Sequence, residues 1–122
     1  MPAHPTSAPA QFIQGAPVLH VRDVSGMAAY FRDTLGFTWD FGDENYAVVW
    51  RENSAIHLVK RDGEPSNVHL FQWVRDVDAC YAEVLARGAD ITRPPHTEPY
   101  GLREFAVRAP NGLAIVFGQE ID

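Results

Sequence analysis

Apolar residues along this chain fall into short alternating runs and two longer runs with helical spacing, and the order of these runs is played through twice. A strand is predicted over Ala16 to Arg22. Asp23 or Ser25 then caps a helix that sets Met27, Tyr30, Phe31 and Leu35 on one face at steps of three, one and four. Gly36 stands where a left-handed C-cap is wanted. Strands follow over Phe37 to Phe41, Tyr46 to Trp50 and Ala55 to Val59, separated by the turn-rich stretches Gly42 to Asn45 and Arg51 to Asn53. A turn-rich loop, Arg61 to Ser66, ends this half.

The second half repeats the order. Asn67 to Val74 reads as a strand. Asp76 or Asp78 caps a helix carrying Val77, Tyr81, Val84 and Leu85, stopped by Gly88. Asp90 to Thr92 is a short strand. Residues 93–101, with three prolines, are expected as the most irregular loop. Leu102 to Arg108 and Leu113 to Gly118 form a hairpin across Ala109-Pro110-Asn111-Gly112, where Asn-Gly between apolar runs is a strong turn signal. The tetrapeptide Val-Arg-Asp-Val occurs at Val21 to Val24 and again at Val74 to Val77, an offset of about 53 residues, each copy closing a strand and opening a helix. The fold class that follows is α+β: two βαβββ modules, each a sheet with one face under a helix. Two such sheets facing one another enclose a cleft, the usual place for a small ligand.

Parity assigns the faces. His57 shares a face with Ala55 and Val59, and His69 shares one with Phe71 and Trp73, while Leu58, Leu70 and Val68 turn to the helices. Arg103 and Glu104 are adjacent, so only one enters the cleft, and Glu104 is the preferred one. Aromatic residues are plentiful on the cleft side. Phe71 and Trp73 lie on it, and Tyr46, Trp50 and Tyr100 are near it. Such walls hold flat ligands by stacking and cations by cation–π attraction. The plain alternative for Trp39 and Trp50 is packing in the core or at a dimer interface.

Bulk properties narrow the field. A chain of 122 residues makes one domain with a real core. We divide it into an arm, 1–15, and a single domain, 16–122, with module one at about 16–60 and module two at about 67–119. The net charge of -6, with no basic run beyond Lys60-Arg61, disfavours nucleic acid and anionic membranes as partners. The single cysteine, Cys80, excludes an internal disulfide framework, suits a cytoplasmic location and falls in a helical pattern, where inert packing is expected. No Gly-x-Ser-x-Gly elbow or phosphate-cradling glycine loop is present.

Two segments carry a family likeness. Val21-Arg22-Asp23-Val24 with Tyr30-Phe31-Arg32-Asp33-Thr34-Leu35-Gly36-Phe37 resembles the opening of the glyoxalase / bleomycin-resistance / extradiol-dioxygenase (vicinal oxygen chelate) superfamily. Tyr100-Gly101-Leu102-Arg103-Glu104-Phe105 through Asn111-Gly112 resembles its closing hairpin. The likeness spans about residues 16 to 119 and is closest to the bleomycin-resistance branch. Ala109 departs from it, standing where the family usually has Asp. The resemblance implies paired βαβββ modules, commonly in a dimer. In the enzymes it implies a divalent metal held by residues of the first and fourth strands of each module, and in the drug-binding members a metal-free cleft.

Those ligand positions are filled unevenly. They fall on Ala16, His57, His69 and Val116, so only two carry imidazole. A catalytic zinc generally keeps three protein ligands, and a facial iron site wants a carboxylate beside two histidines. The expectation is therefore a protein with no cofactor, a homodimer, that sequesters a hydrophobic or aromatic small molecule such as an antibiotic. Its candidate ligand-binding residues are Tyr46, Trp50, His57, His69, Phe71, Trp73, Tyr100 and Glu104. The alternative is a glyoxalase-like lyase, isomerase or dioxygenase with Zn, Ni, Mn or Fe on His57, His69 and Glu104. A third class is a module with a vestigial cleft that takes no ligand. His4 and His96 are expected to be solvated.

Overall fold

In the computed structural model, residues 14–64 and 68–121 are described. The arm expected at 1–15 falls outside them except for Gln14 and Gly15. The elements run β1 Val18–Val21, α1 Val24–Asp33, β2 Thr38–Gly42, β3 Tyr46–Arg51 and β4 Ser54–Lys60. They continue with β5 His69–Trp73, α2 Val77–Ala86, β6 Asp90–Thr97, β7 Leu102–Arg108, a 3-10 turn Pro110–Gly112 and β8 Ala114–Glu120. Two open, mixed four-stranded sheets result, ordered β1-β4-β3-β2 and β5-β8-β7-β6. In each, the first strand pairs parallel with the last and the other pairings are antiparallel. The α+β architecture of two βαβββ units is thus present.

The repeat extends to atomic detail. Asp23 and Asp76 are the N-caps, and their carboxylates accept from the amides of Gly26 at 2.9 Å and Ala79 at 3.0 Å. Each bond satisfies an amide that the first helical turn leaves without a partner. Helix α1 buries Val24, Met27, Ala28 and Phe31, and α2 buries Val77 and Val84. Against them lie the helix-side positions of the strands, among them Leu19, Ala47, Val49, Leu58, Phe105, Val107 and Phe117, all 5% exposed or less. Burying each of the Val, Leu and Phe side chains among them contributes roughly 1.5–3 kcal/mol. Phe105 stacks on Phe117 with centroids 4.7 Å apart and receives Tyr81 edge-on at 5.5 Å. Helix-side residues of both modules belong to one continuous buried cluster.

Four details differ from what the sequence predicts, the first being Leu85, expected with Val77 and Val84 on α2 but 47% exposed. Leu35 is buried, but just beyond the end of α1 rather than on its face. Val68 is exposed instead of facing the helix. The segment expected as an irregular loop is mostly strand: β6 runs through Pro94 and Pro95 to Thr97, with breaks in register between Ile91 and Arg93 and again between Arg93 and His96. Proline removes an amide donor and is tolerated at sheet edges and bulges, and β6 is both an edge strand and twice bulged. In the expected tight turn, Asn111 and Gly112 take φ of 65° and 76°, conformations for which Asn and Gly carry the smallest penalty.

One ion pair ties the modules on the helical side. Arg51 at the end of β3 donates to Glu83 of α2 at 2.8 and 3.0 Å and to the Leu35 carbonyl at 2.8 Å. The hydrogen bond from Arg51 holds the Glu83 carboxyl below the usual carboxylate range, offset in part by desolvation. Both side chains are about a third exposed, so solvent screening limits the pair to roughly 1 kcal/mol. Because the folded-state value is depressed, this stability is present above the ordinary Glu range and is lost as pH falls through the lowered value. Chemical denaturation of Arg51→Met is expected to show a loss of about 1 kcal/mol at neutral pH and a shallower decline with acid than the parent. An unchanged acid slope would remove this pair from the account.

Candidate functional site

Alternation leaves each sheet with a face that no helix covers. On the first sheet this face carries Tyr46, Val48 and Trp50 from β3 and His57 and Val59 from β4, set opposite one another by register. Trp50 is 40% exposed and Phe41, from the neighbouring strand, 57%. The Tyr46 hydroxyl is hydrogen-bonded to His57 Nδ1, with the two rings edge to face at 5.6 Å. His20 lies on the same face and its Nδ1 accepts from Arg61 Nη1 at 3.0 Å.

The open face of the second sheet presents His69, Phe71 and Trp73 at alternate positions of β5. Phe71 and Trp73 contact one another at 4.7 Å between centroids, tilted by 57°. Both remain more than a third exposed, and adjoining exposed aromatics of this kind often mark a binding surface. Gly118 explains how Phe71 lies so low: a Cβ there would stand 2.5 Å from Phe71 Cζ. Register continues the row from Trp73 to Gly118, Glu104 and His96. Glu104 therefore shares the face of the aromatic pair. Arg103 turns to the helices and binds Asp78 at 2.9 and 3.0 Å. The Tyr100 hydroxyl donates to Glu104 Oε2 at 3.3 Å, and its phenol is held above the usual range by desolvation first and then by the Glu104 and Glu98 carboxylates.

The candidate residues thus gather in three small sets: Tyr46 with His57 beside Trp50, Phe71 with Trp73, and Tyr100 with Glu104. His57 and His69 sit on different sheets. The metal positions implied by the family fit poorly here. His57 Nδ1 is engaged by Tyr46, and position 116 offers only the isopropyl group of Val116, between Phe71 and Ala106. Among the described residues, one group of three donors lies within 4.8 Å of one another: His96, Glu98 and Glu104. His96, expected in a solvated loop, is instead half-buried in β6 directly across from Glu104. Carrying the strand of Asp90 to Thr92 through the prolines would have revealed it. Cys80 takes no part, since burial pushes its thiol up to about 11.

The sequence model of the Glyoxalase/Bleomycin resistance protein/Dioxygenase superfamily matches residues 13–117. Among solved structures, the bleomycin-binding protein of bleomycin-producing Streptomyces verticillus, in complex with copper(II)-bleomycin, is 32% identical with a TM-score of 0.76. The match covers 88% of this chain and 96% of that one. TioX from Micromonospora sp. ML1 shares the fold at 24% identity and TM-score 0.75, over 88% of this chain and 98% of its own. A glyoxalase/bleomycin resistance protein/dioxygenase from Alicyclobacillus acidocaldarius does so at 15% identity and TM-score 0.77, over 89% and 92%. No curated protein matches the sequence.

Gly118 gives a direct handle on the aromatic pair. In Gly118→Ala the new methyl meets the far edge of a half-exposed ring, so Phe71 swings away while the fold persists. The expected result is a change in tryptophan emission from Trp73 with a stability loss of roughly 1 kcal/mol or less. Global unfolding of this variant would show that Phe71 supports the core instead.

Proposed function

The chain belongs to the Glyoxalase/Bleomycin resistance protein/Dioxygenase superfamily, and on that premise we propose that it sequesters an aromatic small molecule by stacking, with no metal held between His57 and His69. The observation that carries this reading is the exposed Phe71–Trp73 pair seated on Gly118. Two touching rings on a sheet face offer a flat guest a wall, each aromatic contact being worth about 0.5–1.5 kcal/mol beyond area burial. The 32%-identical protein solved with copper(II)-bleomycin supports an antibiotic as the guest. Charge selects further. Glu98 and Glu104 border the wall, Arg103 faces away, and the chain carries -6 overall, so a planar cationic ligand is favoured over an anionic one.

A wall alone does not enclose a ligand. The first sheet bears a second apolar face with Tyr46, Trp50 and His57, and a homodimer that sets this face against the partner's Phe71–Trp73 pair closes a cleft in duplicate. His57 and His69 then serve as polar contacts to the guest and Tyr100 as a rim contact. No covalent step is part of this reading.

Calorimetric titration with copper-free and copper-loaded bleomycin, on protein stripped of metal by chelator, tests it. Saturable binding is expected, weakened about tenfold by Phe71→Ala or Trp73→Ala and changed less by His57→Ala or His69→Ala. Absence of binding to bleomycin and to other planar cations would sink the proposal, as would chemical conversion of the bound ligand.

A further inference from the structure

The β6–β7 hairpin brings three metal-ligating side chains together away from the family's ligand positions. His96 and Glu104 face one another across the strands, and Glu98 follows two residues after His96. Glu98 is anchored where the hairpin turns, its amide donating to the Leu102 carbonyl at 2.7 Å. All three donor atoms lie within 4.8 Å of one another. The side chains of His96 and Glu98 are 20% and 18% exposed. We propose that His96, Glu98 and Glu104 bind a divalent transition-metal ion at this end of the second sheet's open face.

His96 is held at both ring nitrogens. Its Nδ1 lies 3.0 Å from the Pro94 carbonyl oxygen. A carbonyl only accepts, so Nδ1 donates to it and Nε2 is the ring atom turned toward Glu98. Nε2 is shut off from solvent and stands 2.7 Å from Glu98 Oε1. A positive charge shared by the two atoms, a proton or a metal ion, makes this contact favourable. An imidazole whose second nitrogen donates to a backbone carbonyl is also the usual arrangement of a metal-bound histidine.

The surroundings leave room for the ion. Arg93 Nη1 stands 3.3 Å from Glu98 Oε1, but its side chain is 61% exposed and free to yield. Arg103 is committed to Asp78 and Thr97 on the opposite face. Tyr100 engages Oε2 of Glu104. One imidazole and two carboxylates suit zinc, manganese or ferrous iron, whereas calcium and magnesium prefer oxygen alone. Three protein ligands leave coordination positions open. With strands about 4.8 Å apart, Glu104 is roughly 10 Å from Trp73 along the row. The site lies beside the stacking wall, and an ion bound there offsets the negative charge that Glu98 and Glu104 otherwise present to a cationic guest.

The test is calorimetry of the untagged, chelator-stripped full chain with zinc sulfate and manganese chloride, and calcium chloride as a comparison. One equivalent of zinc per chain is expected at micromolar affinity, with calcium at least tenfold weaker. His96→Ala, Glu98→Gln and Glu104→Gln each weaken zinc at least tenfold, while His4→Ala, His57→Ala, His69→Ala and Trp73→Ala leave it unchanged. Long-range proton–nitrogen NMR of the parent, which needs no variant to fold, shows zinc moving the His96 Nε2 resonance first. The proposal is overturned if zinc is not taken up, if uptake survives His96→Ala, or if it is lost with His4, His57 or His69. An imidazolium ring on His96 that persists at neutral pH in the presence of zinc overturns it equally.

Discussion

A ten-residue helix laid on a four-stranded sheet covers one face and leaves the other bare. Side chains alternate across a strand, so the covered face collects Leu19, Ala47, Val49 and Leu58 in one module and Phe105, Val107 and Phe117 in the other. The opposite positions are left to aromatics and histidines. Because the helix-side residues of both modules share a single buried cluster, the core is complete without the open faces. Those faces are therefore released from folding duty, and their composition answers to whatever meets them from outside.

The two open faces have different characters. The first is apolar with two hydrogen-bonded polar pairs, Tyr46 with His57 and His20 with Arg61. The second grades along its row from aromatic, at Phe71 and Trp73, through Gly118, to acidic at Glu104 and the hairpin beyond. A glycine at the junction serves both ends, since it lets Phe71 lie flat and places no bulk between the rings and the carboxylates. A wall that is aromatic at one end and negative at the other distinguishes guests by charge as well as by shape.

Much of this was legible in the chain because it follows from local chemistry. Asp23 and Asp76 announced their helices, the duplicated Val-Arg-Asp-Val announced the repeat, and parity separated Glu104 from Arg103. Trouble came where a long-range constraint overrode a local signal. Pro94 and Pro95 read as loop because proline spoils a central strand, and nothing in their neighbourhood says that this strand is at an edge. That misplacement hid His96, whose partner Glu104 is close in space only through the register of β6 on β7. The contact between Arg51 and Glu83, 32 residues apart and in different modules, was out of reach for the same reason.

The prolines of β6 have a consequence for solubility. A sheet border normally displays a ladder of unpaired amides onto which a strand from another molecule can be grafted, the first step toward fibrous growth. Pro94 and Pro95 bring no amide donor to this strand, and the two breaks in register twist it out of line. The border of the second sheet is thus a poor template for stranger chains, and the segment that draws His96 toward Glu104 also guards the protein against its own aggregation.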